Sequence, residues 1–342
     1  MKTTRPRAVI VTALALAMLS TPFITLASGS TSPVAQQATG FKVQATTFKN
    51  NEIDMSANLY FPAGFDASKT YATVVVVHPG GGVKEQTAGL YAQHLAESGF
   101  VALTFDASHQ GASGGMPRFL ENPAERVEDV RSAVDYLTTL SYVDASRIGA
   151  LGICAGGGYA IKASSNEQRI KAVATVSAVN IGAATRRGWN GDVPLEKQIA
   201  PLQAVAEQRT AEANGAAPMY VEYVPAKPDA STPNDLREAS EYYLTPRGQY
   251  PTSTNKMLFT SLDKMYSFDA FDQVGTLLTQ PLLLVAGSDA GSLWHSQEAY
   301  SKAKGKKELY IVPGATHMSL YDAPKDVDVA VGKISPFFLQ NL

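Results

Sequence analysis

Residues 147–164, Arg147-Ile-Gly-Ala-Leu-Gly-Ile-Cys-Ala-Gly-Gly-Gly-Tyr-Ala-Ile-Lys-Ala-Ser164, constrain this chain more than any other stretch. An apolar run ends at Ile153, one reactive side chain follows at Cys154, and small residues then open a segment of helical composition. Gly152-Ile-Cys-Ala-Gly156 has the spacing of a nucleophile elbow, Gly-x-Ser-x-Gly, with sulfur in place of the hydroxyl. Glycines two residues either side suit a strained turn in which neighbouring backbone comes too close for a Cβ. Such a turn puts Cys154 at a helix N-terminus, where unpaired N–H groups and the helix dipole favour a thiolate and an anion formed on a substrate. A buried core cysteine is the competing reading, and the flanking glycines argue against it.

The stretches around the elbow predict an α/β fold: a mostly parallel central sheet flanked by helices, with an inserted helical cap. Phe41 to Phe48 and Ile53 to Phe61 alternate apolar and polar residues, as paired, half-exposed strands do. Thr73-Val-Val-Val-Val77 is instead a continuous β-branched run, the pattern of a strand covered on both faces. A helix over Val83 to Ser98 and a strand over Gly99 to Asp106 complete a βαβ unit. Asn122-Pro-Ala-Glu125 carries a cap residue, a proline at the first helical position and a glutamate three residues after the cap, so a helix should run from there to about Leu140. Strands are expected over Ile170–Ser177, Pro281–Ala286 and Glu308–Val312, and helices over Ser292–Ala303 and Asp326–Phe338. Between about residues 180 and 271 the pattern breaks into helical segments interrupted by prolines, among them Pro194 and Pro201, with recurrent tyrosines. So long a structureless loop is improbable in a compact domain, and the segment reads as a cap inserted over the site.

Chemistry in such a sheet collects beyond the carboxyl ends of the strands. Cys154, Asp289 and His317 each follow a predicted strand, in the chain order nucleophile, acid, histidine. His317 would take the thiol proton, and Asp289 would fix its tautomer. Oxyanion donors are expected from the N–H of Ala155 and from the loop His78-Pro-Gly-Gly-Gly82. Proline has no N–H, so Gly80 or Gly81 must serve there. His109 and Trp294 border the same crevice and are candidate substrate contacts; a solvated or packing role is the alternative for each.

The first residues stand apart. Met1-Lys-Thr-Thr-Arg-Pro-Arg7 is basic, Ala8 to Leu19 is uncharged and mostly apolar, and Thr25-Leu-Ala27 offers small residues for cleavage. This predicts a signal peptide over residues 1–27, a polar leader over 28–40 and a folded α/β domain over 41–342, with its cap at about 180–271, exported to a periplasm or the medium. The formal net charge of −2, which becomes more acidic once Lys2, Arg5 and Arg7 are removed, gives no reason to expect nucleic acid as a partner. No membrane association is expected after signal cleavage. A single cysteine excludes an internal disulfide and a Cys/His metal cluster, so no metal or other cofactor is expected.

From about Phe41 to its end the chain resembles the dienelactone-hydrolase-like branch of the α/β-hydrolase superfamily. Within it the chain is similar to bacterial hydrolases related to fungal polyketide acyltransferases and thiohydrolases. The resemblance is carried by the stretches His78-Pro-Gly-Gly-Gly-Val-Lys-Glu-Gln86, Phe105-Asp-Ala-Ser-His-Gln-Gly111, Arg147 to Gly157, Glu241-Tyr-Tyr-Leu-Thr-Pro-Arg247 and Gly314-Ala-Thr-His-Met-Ser-Leu-Tyr-Asp322. It implies the fold and a Cys-His-Asp triad, not a substrate. A thiolate forms a thioester, from which activated leaving groups depart best, so the expected substrate is a small acyl compound: an ester, lactone or thioester. Acyl transfer by the same triad, and a non-catalytic ligand-binding or redox-sensing protein, are the alternatives.

Overall fold

The computed structural model describes residues 41–342; the expected signal peptide and leader lie outside the described residues. Two alternating segments open the fold, β1 (Phe41–Asn50) and β2 (Ile53–Pro62), paired antiparallel across a tight turn where Asn51 takes φ 50°. Asparagine tolerates that left-handed conformation better than most residues. The continuous β-branched run lies in β3 (Tyr71–Val77), and Val74 to Val77 are fully buried. Then come α1 (Thr87–Glu97), β4 (Val101–Phe105), α2 (Pro123–Thr138), β5 (Val143–Ile153), α3 (Ala155–Ser164) and β6 (Ile170–Val176).

After β6 the chain leaves the sheet for about a hundred residues: α4 (Ile181–Arg187), α5 (Leu195–Ala213), β7 (Tyr220–Val221), α6 (Asn234–Leu244), β8 (Met257–Leu258), α7 (Ser261–Ser267) and α8 (Val274–Leu277). The short strands β7 and β8 pair only with each other. Pro201 does not interrupt a helix as its chemistry predicts; it lies within α5. The carbonyl it leaves unpaired, four residues back at Lys197, belongs to an exposed residue and can turn to water. The sheet resumes with β9 (Leu282–Gly287), α9 (Leu293–Lys302), β10 (Lys307–Val312), α10 (Ser319–Asp322) and α11 (Pro324–Asn341).

The main sheet has eight strands in the order β1-β2-β4-β3-β5-β6-β9-β10, parallel from β4 onwards. From β3 the chain steps outward to β4, then returns across β3 to β5 on its other side. The connections that leave β3 and β5 therefore diverge, and between their carboxyl ends lies the crevice in which open α/β sheets bind ligands. Val77, the last residue of β3, pairs with Gly152, so the glycine loop and the elbow start side by side. Among the described residues no helix is long and apolar enough to cross a membrane.

Candidate active site

The elbow is a strained turn. Cys154 has φ 55° and ψ −124°, outside the conformations ordinary L-residues prefer, and caps α3. A Cβ on Gly152 would run into the carbonyl of Gly156, and one on Gly156 into that of Val77. Only hydrogen fits at either position, which explains the glycine spacing around the cysteine. The backbone of Cys154 is tied down by its N–H to Val176 O at 3.0 Å and by its carbonyl, which accepts from Gly157 N at 2.9 Å and Val179 N at 2.8 Å.

The backbone N–H groups of Ala155 and Gly80 both favour the charged form of the Cys154 sulfur, and both residues line the cavity at the elbow. Gly81 takes a different part: its carbonyl accepts from Ser253 Oγ at 2.8 Å, and at φ 70° a Cβ would strike the Tyr223 ring. Of the two glycines the sequence left open, Gly80 is the one whose N–H acts on the sulfur. The loop is held from behind by His78, whose Nδ1 contacts Pro79 O at 2.6 Å while Nε2 accepts from Ala107 N at 3.1 Å. Below it, the fully buried Arg126 donates to His78 O at 2.9 Å, stacks over the Tyr159 ring and faces Glu121 at 3.5 Å.

His317 is buried beside the same cavity. Its Nδ1 lies 2.6 Å from Ser292 Oγ, and its Nε2 lies 3.3 Å from the hydroxyl of Tyr321. That hydroxyl also favours the charged form of the Cys154 sulfur. Tyr321 thus stands by both nucleophile and imidazole, and Ser292 backs the ring. Tyr321 lies in α10, four residues after His317, which sits in the turn leading into that helix.

The expected acid is elsewhere. Asp289 sits on the exposed turn after β9, with its carboxylate accepting from Ser288 Oγ at 2.8 Å. The turn carries Ser292, three residues on, to the imidazole instead. The carboxylate that does act on His317 is Asp235, in the first turn of α6; burial pushes the imidazole down to about 4, and Asp235 pulls it partly back.

The cysteine is not a resting thiolate either. Burial pushes its thiol up, outweighing the opposing effects of Tyr321, the Ala155 and Gly80 N–H groups and Arg126. At neutral pH the site therefore holds a neutral thiol and a neutral imidazole.

The two expected substrate contacts do not line the cavity. His109 is buried between Glu125 and Pro117, its Nε2 3.0 Å from Glu125 Oε2 and its Nδ1 3.0 Å from Pro117 O. Trp294 stacks on His295 and donates to Trp189 O at 3.0 Å. Trp189, from the inserted segment, is the residue that reaches the cavity, with its ring centroid 5.0 Å from that of His317. The cavity measures about 100 Å³. Cys154, His317 and Tyr321 line it, as do Trp189, Tyr223 and Asp235 from the inserted segment. No cluster of three or more potential metal ligands occurs among the described residues.

Comparison with known proteins places this geometry. The model of the dienelactone hydrolase family matches residues 56–241. The uncharacterised protein YcjY of Escherichia coli K12 is 47% identical over 302 residues, spanning 88% of this chain and 99% of the relative. The crystal structure of a hypothetical protein, PA2218 of Pseudomonas aeruginosa, superposes with a TM-score of 0.81 at 35% identity, covering 89% of this chain and 94% of the other. A fungal relative, the acyltransferase drtE of Aspergillus calidoustus, is 25% identical over 293 residues, covering 82% of this chain and 91% of its own length.

Proposed function

Because the chain belongs to the dienelactone hydrolase family, we propose that it is a cysteine-dependent hydrolase of short, activated acyl compounds that works through an acyl-enzyme on Cys154. The observation that carries this reading is one cavity lined by Cys154, Ala155, Gly80, Tyr321 and His317, in which both backbone N–H groups favour a charged sulfur and the Tyr321 hydroxyl lies 3.3 Å from His317 Nε2. Two backbone donors at the nucleophile are what a tetrahedral oxyanion requires.

Starting from the neutral pair, sulfur attacks the carbonyl carbon as its proton passes to the Tyr321 oxygen and the phenolic proton passes to His317 Nε2. The S–C bond forms, and the carbonyl π pair becomes an oxyanion held by Ala155 and Gly80. Nδ1–H of His317 donates to Ser292, which fixes the tautomer whose Nε2 can accept. Collapse of the intermediate breaks the bond to the leaving group, which takes the proton back from His317 by the same route. Water repeats the sequence on the thioester and frees Cys154. A buried, neutral imidazole acts as base down to the acid range, because it is not already protonated.

The cavity sets the size of the acyl group. A pocket of about 150 Å³ holds a benzene ring, and this one is smaller, so it suits acyl chains of a few carbons. Export, which the N-terminal sequence supports, would put the activity outside the cytoplasm. Acyl transfer to an alcohol or amine is the second reading, supported by similarity to the acyltransferase drtE.

The test is intact-mass spectrometry after exposure to short aryl esters, lactones and thioesters. The expected result is one acyl adduct on the wild-type chain and none on Cys154→Ala. An unmodified wild-type chain across the panel, or an adduct that survives in Cys154→Ala, would overturn the proposal. Product partition with added alcohol separates hydrolysis from transfer.

A further inference from the structure

One carboxylate in the cavity has half of its hydrogen-bonding capacity unspent. Asp235 is only 3% exposed and lines the pocket that contains Cys154. Its Oδ2 accepts two N–H groups, from Trp189 Nε1 at 2.7 Å and from Gly291 N at 2.8 Å. Its Oδ1 is buried with no hydrogen-bond partner among the described residues. A carboxyl oxygen withdrawn from water and left unpaired is costly, and native proteins keep such atoms mainly where a ligand or water meets them.

The neighbouring groups do not relieve it. Both nitrogens of His317 are engaged, with Ser292 and Tyr321. Val179, Ile181, Val224, Leu236, Ala239 and Met318 supply most of the remaining wall; of the two tyrosines that join them, Tyr223 spends its hydroxyl on Glu121 and Gln110, and the Tyr243 hydroxyl is buried with no partner, Asp235 included. Nor is Asp235 free to turn away, since Oδ2 is clamped by two rigid donors, an indole and a backbone amide.

From this arrangement we infer a substrate class: the acyl group this enzyme takes carries a hydrogen-bond donor, a hydroxyl or an ammonium, that binds Oδ1 of Asp235. The inference rests on the acyl-enzyme reading above and narrows it. A plain acyl chain of the same size would fill the pocket and leave the carboxylate oxygen unmet, and sites built around a polar partner discriminate strongly against analogues that lack it.

Asparagine at this position makes a sharp test. Both N–H donors at Oδ2 demand an oxygen there, so in Asp235→Asn the amide must put its NH₂ where Oδ1 was. An acceptor facing the substrate becomes a donor.

The experiment compares kcat/KM for the phenyl esters of butyric, 3-hydroxybutyric, 3-aminobutyric and 3-oxobutyric acids, each divided by its rate of alkaline hydrolysis. In wild type, the hydroxyl or amino ester should exceed the butyryl ester by about 10-fold or more, the scale of one hydrogen bond to a charged group. Whichever of the two gains more identifies the donor. In Asp235→Asn that ratio should fall by about 10-fold while the ratio of 3-oxobutyryl to butyryl rises.

Ratios that agree within about twofold between wild type and variant would overturn the inference, as would equal wild-type rates on all four esters. Should Asp235→Asn fail to fold, the wild-type ratios decide alone. A butyryl ester that acylates Cys154 with no gain from the donor sinks this inference and leaves the acyl-enzyme standing. If none of the four esters acylates Cys154, both fall.

Discussion

Ser292 Oγ lies 2.6 Å from Nδ1 of His317, in the place where a carboxylate would back a catalytic imidazole. A hydroxyl there can fix the tautomer and the ring plane, but it offers a forming imidazolium no full charge. Asp235, which opposes the burial of His317, supplies that at longer range. Ser292→Ala should therefore lower kcat/KM on a short aryl ester about 10-fold, the worth of one hydrogen bond, with KM little changed. Asp289→Asn, on the exposed turn, should stay within about twofold of wild type. A large loss in Asp289→Asn with none in Ser292→Ala would restore the acid that the chain order suggested.

Thiol chemistry supplies a second prediction. Cys154 caps a ten-residue helix, which favours a thiolate, yet burial acts in the opposite direction and prevails. Alkylation by iodoacetamide should be slow at pH 7 and accelerate steeply above pH 9, read as the rate of mass gain on the single cysteine. Tyr321→Phe removes a hydroxyl that favours the charged sulfur and should slow alkylation further at every pH below the new midpoint. Fast, pH-independent alkylation between pH 6 and 8 would show a resting thiolate.

The framework was legible because each of its elements has a local signature. Alternation marks β1 and β2, an unbroken β-branched run marks β3, and the elbow glycines mark a turn so close to Val77 and Gly157 that a Cβ would clash. Asp289 was misread because a strand end fixes where a loop starts but not which of its side chains turns inward. Ser292 does so three residues later. Asp235 had no signature at all: it comes from the inserted segment, about eighty residues from either His317 or Cys154, and only tertiary packing brings it to the cavity. His109 drew attention by following β4 in a glycine-rich loop, where φ 69° turns it into a contact with Glu125.

Glu121 is fully buried and joins the inserted segment to the oxyanion loop. It accepts from Tyr223 at 2.7 Å, from Gln110 at 2.6 Å and from the Tyr159 hydroxyl, and it faces Arg126, which holds the carbonyl of His78. Glu121→Ala strands a buried guanidinium and three donors, so it should cost about 3–5 kcal/mol in denaturant unfolding. Glu121→Gln keeps the shape and should cost less. A loss below 1 kcal/mol for the alanine variant would mean that the network adds little to the fold.

Asp129 gives stability a pH dependence of definite sign. Its carboxyl is fully buried against Asn50 and Ser108, and burial pushes it up to about 6, against hydrogen bonds that favour the ionised form. The native state thus holds this proton over a range in which the unfolded chain has released it. Stability from this group is fully present below about pH 4 and is lost as pH rises through 6, about 3 kcal/mol in all. Asp129→Asn cannot titrate; its single carbonyl oxygen can keep either the bond from Ser108 N or the one from Asn50, and the bond it loses is lost equally at every pH. The gap in unfolding free energy between variant and wild type should therefore shift in the variant's favour by up to about 3 kcal/mol between pH 4 and pH 7, measured by urea titration at each pH. A gap that stays constant over that range would mean that Asp129 ionises at its ordinary pH despite its burial.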